Sequence, residues 1–490
     1  MSITTANREF SKSIIISNLF WKYSERIGAQ VVSFVVTVVL ARLLSPAEYG
    51  LIAMVTVFIS IANVFVSIGF GGALIQKKDA DNLDFSSIFF LNTGLSLILY
   101  GIIFASAPIV ANFYGYEVLT PVMRVMGLIV IVAALQTVQQ AYVARNMFFR
   151  KFFFSTLGGT LTSGIAGVVM AFMGFGIWAL VAQYMLDMTV NAIVLWFTVK
   201  WRPQWQFSII RVRSLFSFGW KLLCAGLLTT VQGQLNQLII GKMYTSSDLA
   251  YYNKGLQFPG LIMDNINTSI STVMFPVVSQ AQDDLERLRM LTRQTIRVSS
   301  YFVFPMMVGL AVVAEPLIKI LLTEKWSFCV PYLRIGCFAY TVTIIQIAIQ
   351  NAIQALGRTD VFLKMDIIRK ALYFPLLIIV MKHGVMAIAL LSILTGSFSV
   401  VMVAVVSKHM FEYSYREHIN DNLPILIASS VMGLAVYMLQ FIGLSDIVTL
   451  CMQVTFGIFA YILLSMLFKF EGFELAFEYI KDFRRGKNYV

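Results

Sequence analysis

Apolar runs long enough to cross a bilayer follow one another through almost the whole chain, and they leave little choice of fold. Residues 14–40 form the first run and 51–75 the second. About 20 apolar residues cover the hydrocarbon core. Lipid offers no hydrogen-bond partner, so a spanning segment must satisfy its own backbone as a helix. Run length places about fourteen spans at 14–40, 51–75, 85–111, 119–143, 154–174, 176–199, 215–241, 252–278, 298–322, 329–355, 361–381, 384–407, 423–442 and 447–468. The longest intervening loops are Lys200–Ser214, Gln280–Arg297 and Ser407–Asn422, all too short for an extramembrane domain. The expected class is an all-α polytopic membrane protein. Only 13% of residues are charged, against about 25% in an average chain.

The turn between the first two runs sets the internal pattern. Arg42, Ser45, Pro46 and Glu48 lie in it. Ser45 suits a helix N-cap, Pro46 a first turn, and Glu48 the positive end of the helix dipole. Lys242, Thr245 and Asp248 repeat Arg42, Ser45 and Glu48 two hundred residues on. Pro121 and Arg124 recur as Pro331 and Arg334, and Gln140 as Gln350. Two matches in the same order indicate a duplicated half, with spans paired in parallel. Such halves around a central site are a transporter architecture. The expected division is 1–213 for an N-terminal lobe, 214–407 for a C-terminal lobe, 408–468 for two additional helices, and 469–490 for a basic tail.

Lys and Arg are distributed unevenly between the two sides. If the spans alternate, 26 of the 37 basic residues fall on one side, and Arg42, Lys242, Lys254, Lys319, Lys325 and Lys382 fall on the other. Cytoplasmic loops collect Lys and Arg, so both termini are expected in the cytoplasm. Lys22, Arg26, Arg124, Lys221 and Arg334 lie inside spans or near their ends. Charges there face a cavity or a partner, or snorkel to the interface. Lys22, Glu25 and Arg26 share one helix face. Polar stripes add Gln183, Asp187 and Asn191; Gln232 and Asn236; Asp264 and Asn267; and Gln346, Gln350 and Gln354. Helix–helix hydrogen bonding is the plain alternative for these stripes. They thin out after span twelve, so the last two spans read as peripheral.

Several chemistries are missing. Gly241-Lys242-Met243 and Gly486-Lys487-Asn488 do not continue as a P-loop, so no ATPase is expected. His383, His409 and His418 have no ligand spacing and read as solvated loop residues. Cys224, Cys329, Cys337 and Cys451 read as buried fillers. No secretory signal peptide precedes the first span. No catalytic residue, metal site or cofactor is expected, and no nucleic-acid partner, despite the net charge of +12.

The stretches Leu40–Gly50, Gly72–Asp79, Gly174–Leu180, Phe218–Leu223, Phe275-Pro276, Gln282–Arg289, Ala314–Leu317, Glu324–Trp326 and Ala355–Arg358 stand in the order of a known family. Together they resemble Wzx-type polysaccharide flippases of the colanic acid branch, within the multidrug/oligosaccharidyl-lipid/polysaccharide exporter superfamily. The resemblance implies two pseudo-symmetric six-helix lobes in a V, with two peripheral helices. It also implies a bacterial inner-membrane location, with undecaprenyl-diphosphate-linked oligosaccharide carried from the cytoplasmic to the periplasmic leaflet. The chain departs from the family at Asn236, where many relatives carry Asp, and at Lys242, where they carry Arg. Coupling through an acid at that position is therefore lost.

A diphosphate calls for cations in a partly wet cavity between the lobes. Lys22, Arg26, Arg124, Lys254 and Arg334 are the candidates, with Gln232, Asn236, Gln346 and Gln350 for the glycan. Glu25, Asp187 and Asp264 are candidates to couple H+ or Na+, and Asp187 and Asp264 are placed deepest. Membrane lipid and other polysaccharide assembly proteins are further expected partners. A cation-coupled multidrug exporter of the same superfamily is the second reading, disfavoured because cations outnumber acids. A membrane polysaccharide polymerase or ligase is the third, disfavoured by the short periplasmic loops.

Overall fold

A computed structural model describes residues 12–77, 79–281 and 284–474. These residues form fourteen α-helices and two short 3-10 turns, with no strand among them. The helices are α1 (Lys12–Leu43), α2 (Pro46–Gln76), α3 (Asn82–Tyr114), α4 (Leu119–Arg145), α5 (Phe149–Phe172), α6 (Ile177–Thr198) and α7 (Ile209–Met243). They continue as α8 (Ser246–Gln280), α9 (Leu285–Leu322), α10 (Val330–Ala355), α11 (Thr359–Val380), α12 (Val385–Phe411), α13 (Tyr415–Met438) and α14 (Asp446–Phe468). Eleven helical segments are long and apolar enough to cross a membrane among the described residues. Helices α8 and α11 fall short because polar groups interrupt them, such as Asp264, Asn265 and Asn267 in α8 and Lys364, Asp366 and Lys370 in α11.

Two expected loops are helical. Asp284 caps α9 by accepting from the Arg287 N–H at 3.0 Å, so the helix starts well before residue 298. Ser414 and Glu417 form a reciprocal capping box that starts α13 at Tyr415. Hydropathy reads both stretches as loop because their charges pair with each other. Arg289 meets Glu417 at 2.6 Å, Arg293 grips Asp421 at 2.6 and 2.9 Å, and Arg297 reaches Glu471 at 2.7 Å. His418, expected in solvent, is buried in α13 with Nε2 3.1 Å from Ser407 Oγ. Cys224 and Cys451, expected buried, are exposed on their helices. The basic tail is described only as far as Glu474, and the N-terminal residues before Lys12 lie outside the described residues, as do Gln282 and Asp283 of the family stretches.

The chain forms two compact units that divide at Ala250 and Tyr251. In the first, α5 lies between α1 and α6, presenting Ser155, Gly159, Ser163 and Gly167 as a buried small-residue face. Such faces let membrane helices approach closely. Helix α7 packs on α2 and α3 of this unit, so compactness divides the chain later than the expected repeat boundary at 213/214. In the second unit α9 is the hub, packed by α10, α13 and α14.

Each unit has a hydrophobic core at one end. The first joins Leu74, Phe85, Ile88, Val138, Val143, Leu195 and Trp201 from α2, α3, α4, α6 and the segment after it. The second joins Val278, Leu288, Ala348, Ile353, Val403, Phe411 and Tyr413 from α8, α9, α10, α12 and the segment after it. The contributing helices follow the same order, six apart.

Candidate functional site

The turn after α1 and the turn after α7 are built alike. The Ser45 N–H and Oγ donate to Glu48 Oε2 at 2.7 and 2.8 Å, and the Glu48 N–H returns to Ser45 Oγ at 3.4 Å. At the second turn the Thr245 N–H and Oγ1 donate to Asp248 Oδ2 at 3.1 and 2.7 Å, and the Asp248 N–H returns at 3.2 Å. The two turns approach each other within the first unit. A Cβ on Gly50 would overlap the Ser246 carbonyl, so glycine alone fits. The Ser246 N–H donates to Tyr116 Oη at 3.2 Å, and Lys242 Nζ donates to the Phe113 carbonyl. Gly176, at φ +56°, faces Glu48 across the same end. A side chain there would be strained and would press on the carboxylate.

The far end of this unit carries ion pairs and helix caps. Asp84 is fully buried and bound by Lys77 Nζ at 2.6 and 2.7 Å. Asp81 caps α3 reciprocally with Asp84 and meets Arg211 at 3.4 Å. Burial works to raise the Asp81 carboxyl, but the Asp84 N–H and the Arg211 and Lys77 charges outweigh it and hold it below the usual carboxylate range. Arg145 donates to the carbonyls of Leu74 and Lys77 at the end of α2.

The expected site residues divide between the units. In the first, Glu25 on α1 accepts from Thr156 Oγ1 at 2.9 Å, and Asp187 on α6 accepts from Thr160 Oγ1 at 3.3 Å. The two threonines are one turn apart on α5, so two acids far apart in sequence meet one helix. Asn191 Oδ1, one turn beyond Asp187, is buried without a hydrogen-bond partner among the described residues. Lys22 lies 5.5 Å from the Phe149 ring centre, and Arg26, Gln232 and Asn236 are half-buried on α1 and α7. Arg124 is not brought to these groups. It lies 4.2 Å from the Phe104 ring centre, and its Nε donates to the Phe104 carbonyl at 3.4 Å.

In the second unit Arg334 Nε donates to the Ala311 carbonyl at 3.2 Å, and its side chain lines a pocket of about 450 Å³ with Met307, Val312, Phe338 and Tyr437. Lys254 is buried 5.6 Å from the Trp326 ring centre, with Nζ 3.2 Å from Gln257 Oε1. It is packed inside its unit. Asp264 is exposed on α8, while Asp84 and Asp421 are the buried acids among the described residues. Gln346 is buried and Gln350 half-buried on α10. Asn351 Nδ2 donates to Ser271 Oγ at 3.2 Å, and that hydroxyl donates to Asn267 Oδ1 at 3.3 Å, a polar chain joining α10 to α8.

Sequence reasoning missed Thr156, Thr160, Ser271 and Asn351. Single hydroxyls and amides in apolar runs carry no local signal until their partners are known. No group of three or more His, Cys, Asp or Glu side chains suited to a metal occurs among the described residues.

The family described as "Polysaccharide biosynthesis protein" matches residues 39–331, more than half the chain. The chain belongs to this family. The chain is 24% identical over 412 residues to the lipopolysaccharide biosynthesis protein WzxC of Escherichia coli (strain K12), covering 81% of this chain and 83% of that one. It is 25% identical over 319 residues to the succinoglycan biosynthesis transport protein ExoT of Rhizobium meliloti, covering 65% of each. The fold matches the lipid II flippase MurJ in an inward closed conformation, with a TM-score of 0.74 at 17% identity over 92% of this chain and 98% of that one. It also matches an inward-facing MATE multidrug transporter, with a TM-score of 0.62 at 14% identity over 78% and 94% of the two chains. The chain is a polytopic helical member of this family and shares the fold of these two transporters.

Proposed function

We propose that this protein carries undecaprenyl-diphosphate-linked oligosaccharide units from the cytoplasmic to the periplasmic leaflet of the bacterial inner membrane, for exopolysaccharide, capsule or O-antigen assembly. Family membership over residues 39–331 carries the reading, since relatives in it are named for lipopolysaccharide, succinoglycan and teichuronic acid biosynthesis. All fourteen helices span the membrane, with both termini cytoplasmic, as the Lys/Arg asymmetry favours. The matching turns at Ser45 and Thr245 support a duplication with lobes 1–213 and 214–407, and 408–468 as added helices.

The chemistry suits the cargo. Arg26 and Lys22, on a helix within the bilayer, attract a diphosphate strongly. A close charge pair at an effective dielectric of 20 is worth about 4 kcal/mol. Arg adds a planar fork for two phosphate oxygens. Gln232 and Asn236 exchange hydrogen bonds with sugar hydroxyls. An almost wholly apolar pocket of about 560 Å³, lined by Ile262 of α8, Phe302 and Met306 of α9, Met432 of α13 and Val454 and Ile458 of α14, suits a polyprenyl chain. Glu25 and Asp187, held on α5 by hydroxyls, are the groups for a coupling H+ or Na+. Hard cations favour carboxylate, hydroxyl and amide oxygens.

Deletion of the gene tests the proposal. Lipid-linked glycan should accumulate on the cytoplasmic face and return to normal with the restored gene. Unchanged lipid-linked glycan together with new drug sensitivity would favour the multidrug reading instead.

A further inference from the structure

A third pocket, of about 570 Å³, lies at the end of the first unit where α5 begins. Phe148 enters it from the α4–α5 turn, Phe149, Arg150 and Lys151 from the first turn of α5, Trp21 from α1 and Thr198 from the end of α6. The Arg150 guanidinium lies 5.2 Å from the Trp21 ring centre and 5.7 Å from that of Phe154. Lys151 Nζ donates to the Thr198 carbonyl at 2.8 Å and lies 5.0 Å from the Phe148 ring centre. Elsewhere clustered cations are matched by acids, as at Lys77–Asp84, Arg293–Asp421 and Lys370–Asp366. Among the described residues no carboxylate lies within 4 Å of Arg150 or Lys151. Phe148 and Phe154 are exposed at its mouth, and Phe197 is 85% exposed beside it in the chain. Trp21 lines the pocket as well, and Trp near the end of a spanning helix sits at headgroup depth.

We propose that this pocket binds the phosphate of an anionic phospholipid headgroup. Arg150 offers planar donors already oriented by two rings, and Lys151 offers a second charge fixed by the end of α6. The aromatic walls meet the glycerol and the first methylenes of the acyl chains. Basic pockets between helices at the cytoplasmic surface hold phosphate headgroups in this way. The leaflet concerned rests on the orientation proposed above; the ligand chemistry does not.

Native mass spectrometry of the purified full-length protein tests the site, using phosphatidylglycerol and phosphatidylcholine of matched chains. The wild type should retain phosphatidylglycerol preferentially, and equal retention of both overturns the proposal without any variant. Arg150→Gln and Lys151→Gln should each cut that retention about fivefold, and Arg150→Lys less. Arg213→Gln, the same charge change outside the pocket, should leave it unaltered. An equal loss in Arg213→Gln would mean diffuse attraction and would overturn the site. Displacement by millimolar inorganic phosphate would assign the pocket to free phosphate. Tighter retention of undecaprenyl diphosphate than of phosphatidylglycerol would assign it to the transported lipid. Either result overturns the phospholipid assignment.

Discussion

Arg124 donates its Nε to the carbonyl of Phe104, four residues before Pro108 in α3. Proline has no N–H, so that carbonyl lacks its normal helical partner. The guanidinium of a neighbouring helix takes the place of the missing donor. Arg334 of the second unit donates to the Ala311 carbonyl, five residues before Pro316 of α9, where the helix keeps its own donor from Glu315. Arg124 therefore has a structural task before any substrate arrives.

Arg124→Ala should lower stability by about 0.5–1.5 kcal/mol, the usual net worth of a hydrogen bond, because this contact is exposed. Pro108→Ala restores the helical donor, so adding it to Arg124→Ala should recover much of the loss. Thermal unfolding in detergent of the four members of this cycle measures the coupling. If export is lost in Arg124→Ala and Pro108→Ala restores stability without restoring export, Arg124 also binds cargo.

The two capping turns should be equivalent. Ser45→Ala and Thr245→Ala should each cost about 1 kcal/mol, the usual penalty for a lost N-cap. Matched shifts in melting temperature check this. A loss at one turn alone would separate their energetic roles despite their common geometry.

How much of this was legible in the sequence differs from element to element. A capping box needs only two residues three apart, so Ser45–Glu48 and its copy at Thr245–Asp248 could be read locally. Asp421 could not. Its partners Arg293 and Arg297 lie 128 and 124 residues away, and the intervening polarity reads as loop. His418 was misplaced for the same reason, because the helix that buries it begins in a charged stretch. Glu25 and Asp187 were visible as acids in spans. Their meeting on α5 depends on Thr156 and Thr160, which look like ordinary spanning residues.

Alkaline pH should expose Tyr413. Burial first, and then the charge and hydrogen bond of Asp421, raise its hydroxyl pKa above the ordinary tyrosine value, against the smaller opposing pull of Arg293 and Arg297. Above about pH 10 the unfolded chain releases this proton while the folded chain keeps it, so stability falls as pH rises, by about 1.4 kcal/mol per unit. Tyr413→Phe removes this contribution. Unfolding followed between about pH 9 and about pH 11 should show a shallower decline in the variant. An unchanged slope would mean that Tyr413 ionises as freely in the folded chain.

Export should depend on Arg26 more than on charge alone. Arg26→Lys should impair it partly, and Arg26→Ala by about tenfold or more, with protein level unchanged, because a charged hydrogen bond to phosphate is worth about 1.5–3 kcal/mol. Glu25→Gln with Asp187→Asn should abolish any dependence of export on pH or Na+. Persistence of that dependence in the double variant would move coupling elsewhere.

Movement of the lipid-linked oligosaccharide between leaflets is the central claim, and proteoliposomes test it most directly. Undecaprenyl-diphosphate oligosaccharide carrying a fluorophore on its glycan is built into both leaflets, and a membrane-impermeant quencher is added outside. The account predicts that the wild type lets the quencher reach fluorescence that stays protected in protein-free vesicles, and that Arg26→Ala slows this. Protection equal to that of protein-free vesicles, in wild-type protein shown to be folded and inserted, would contradict it.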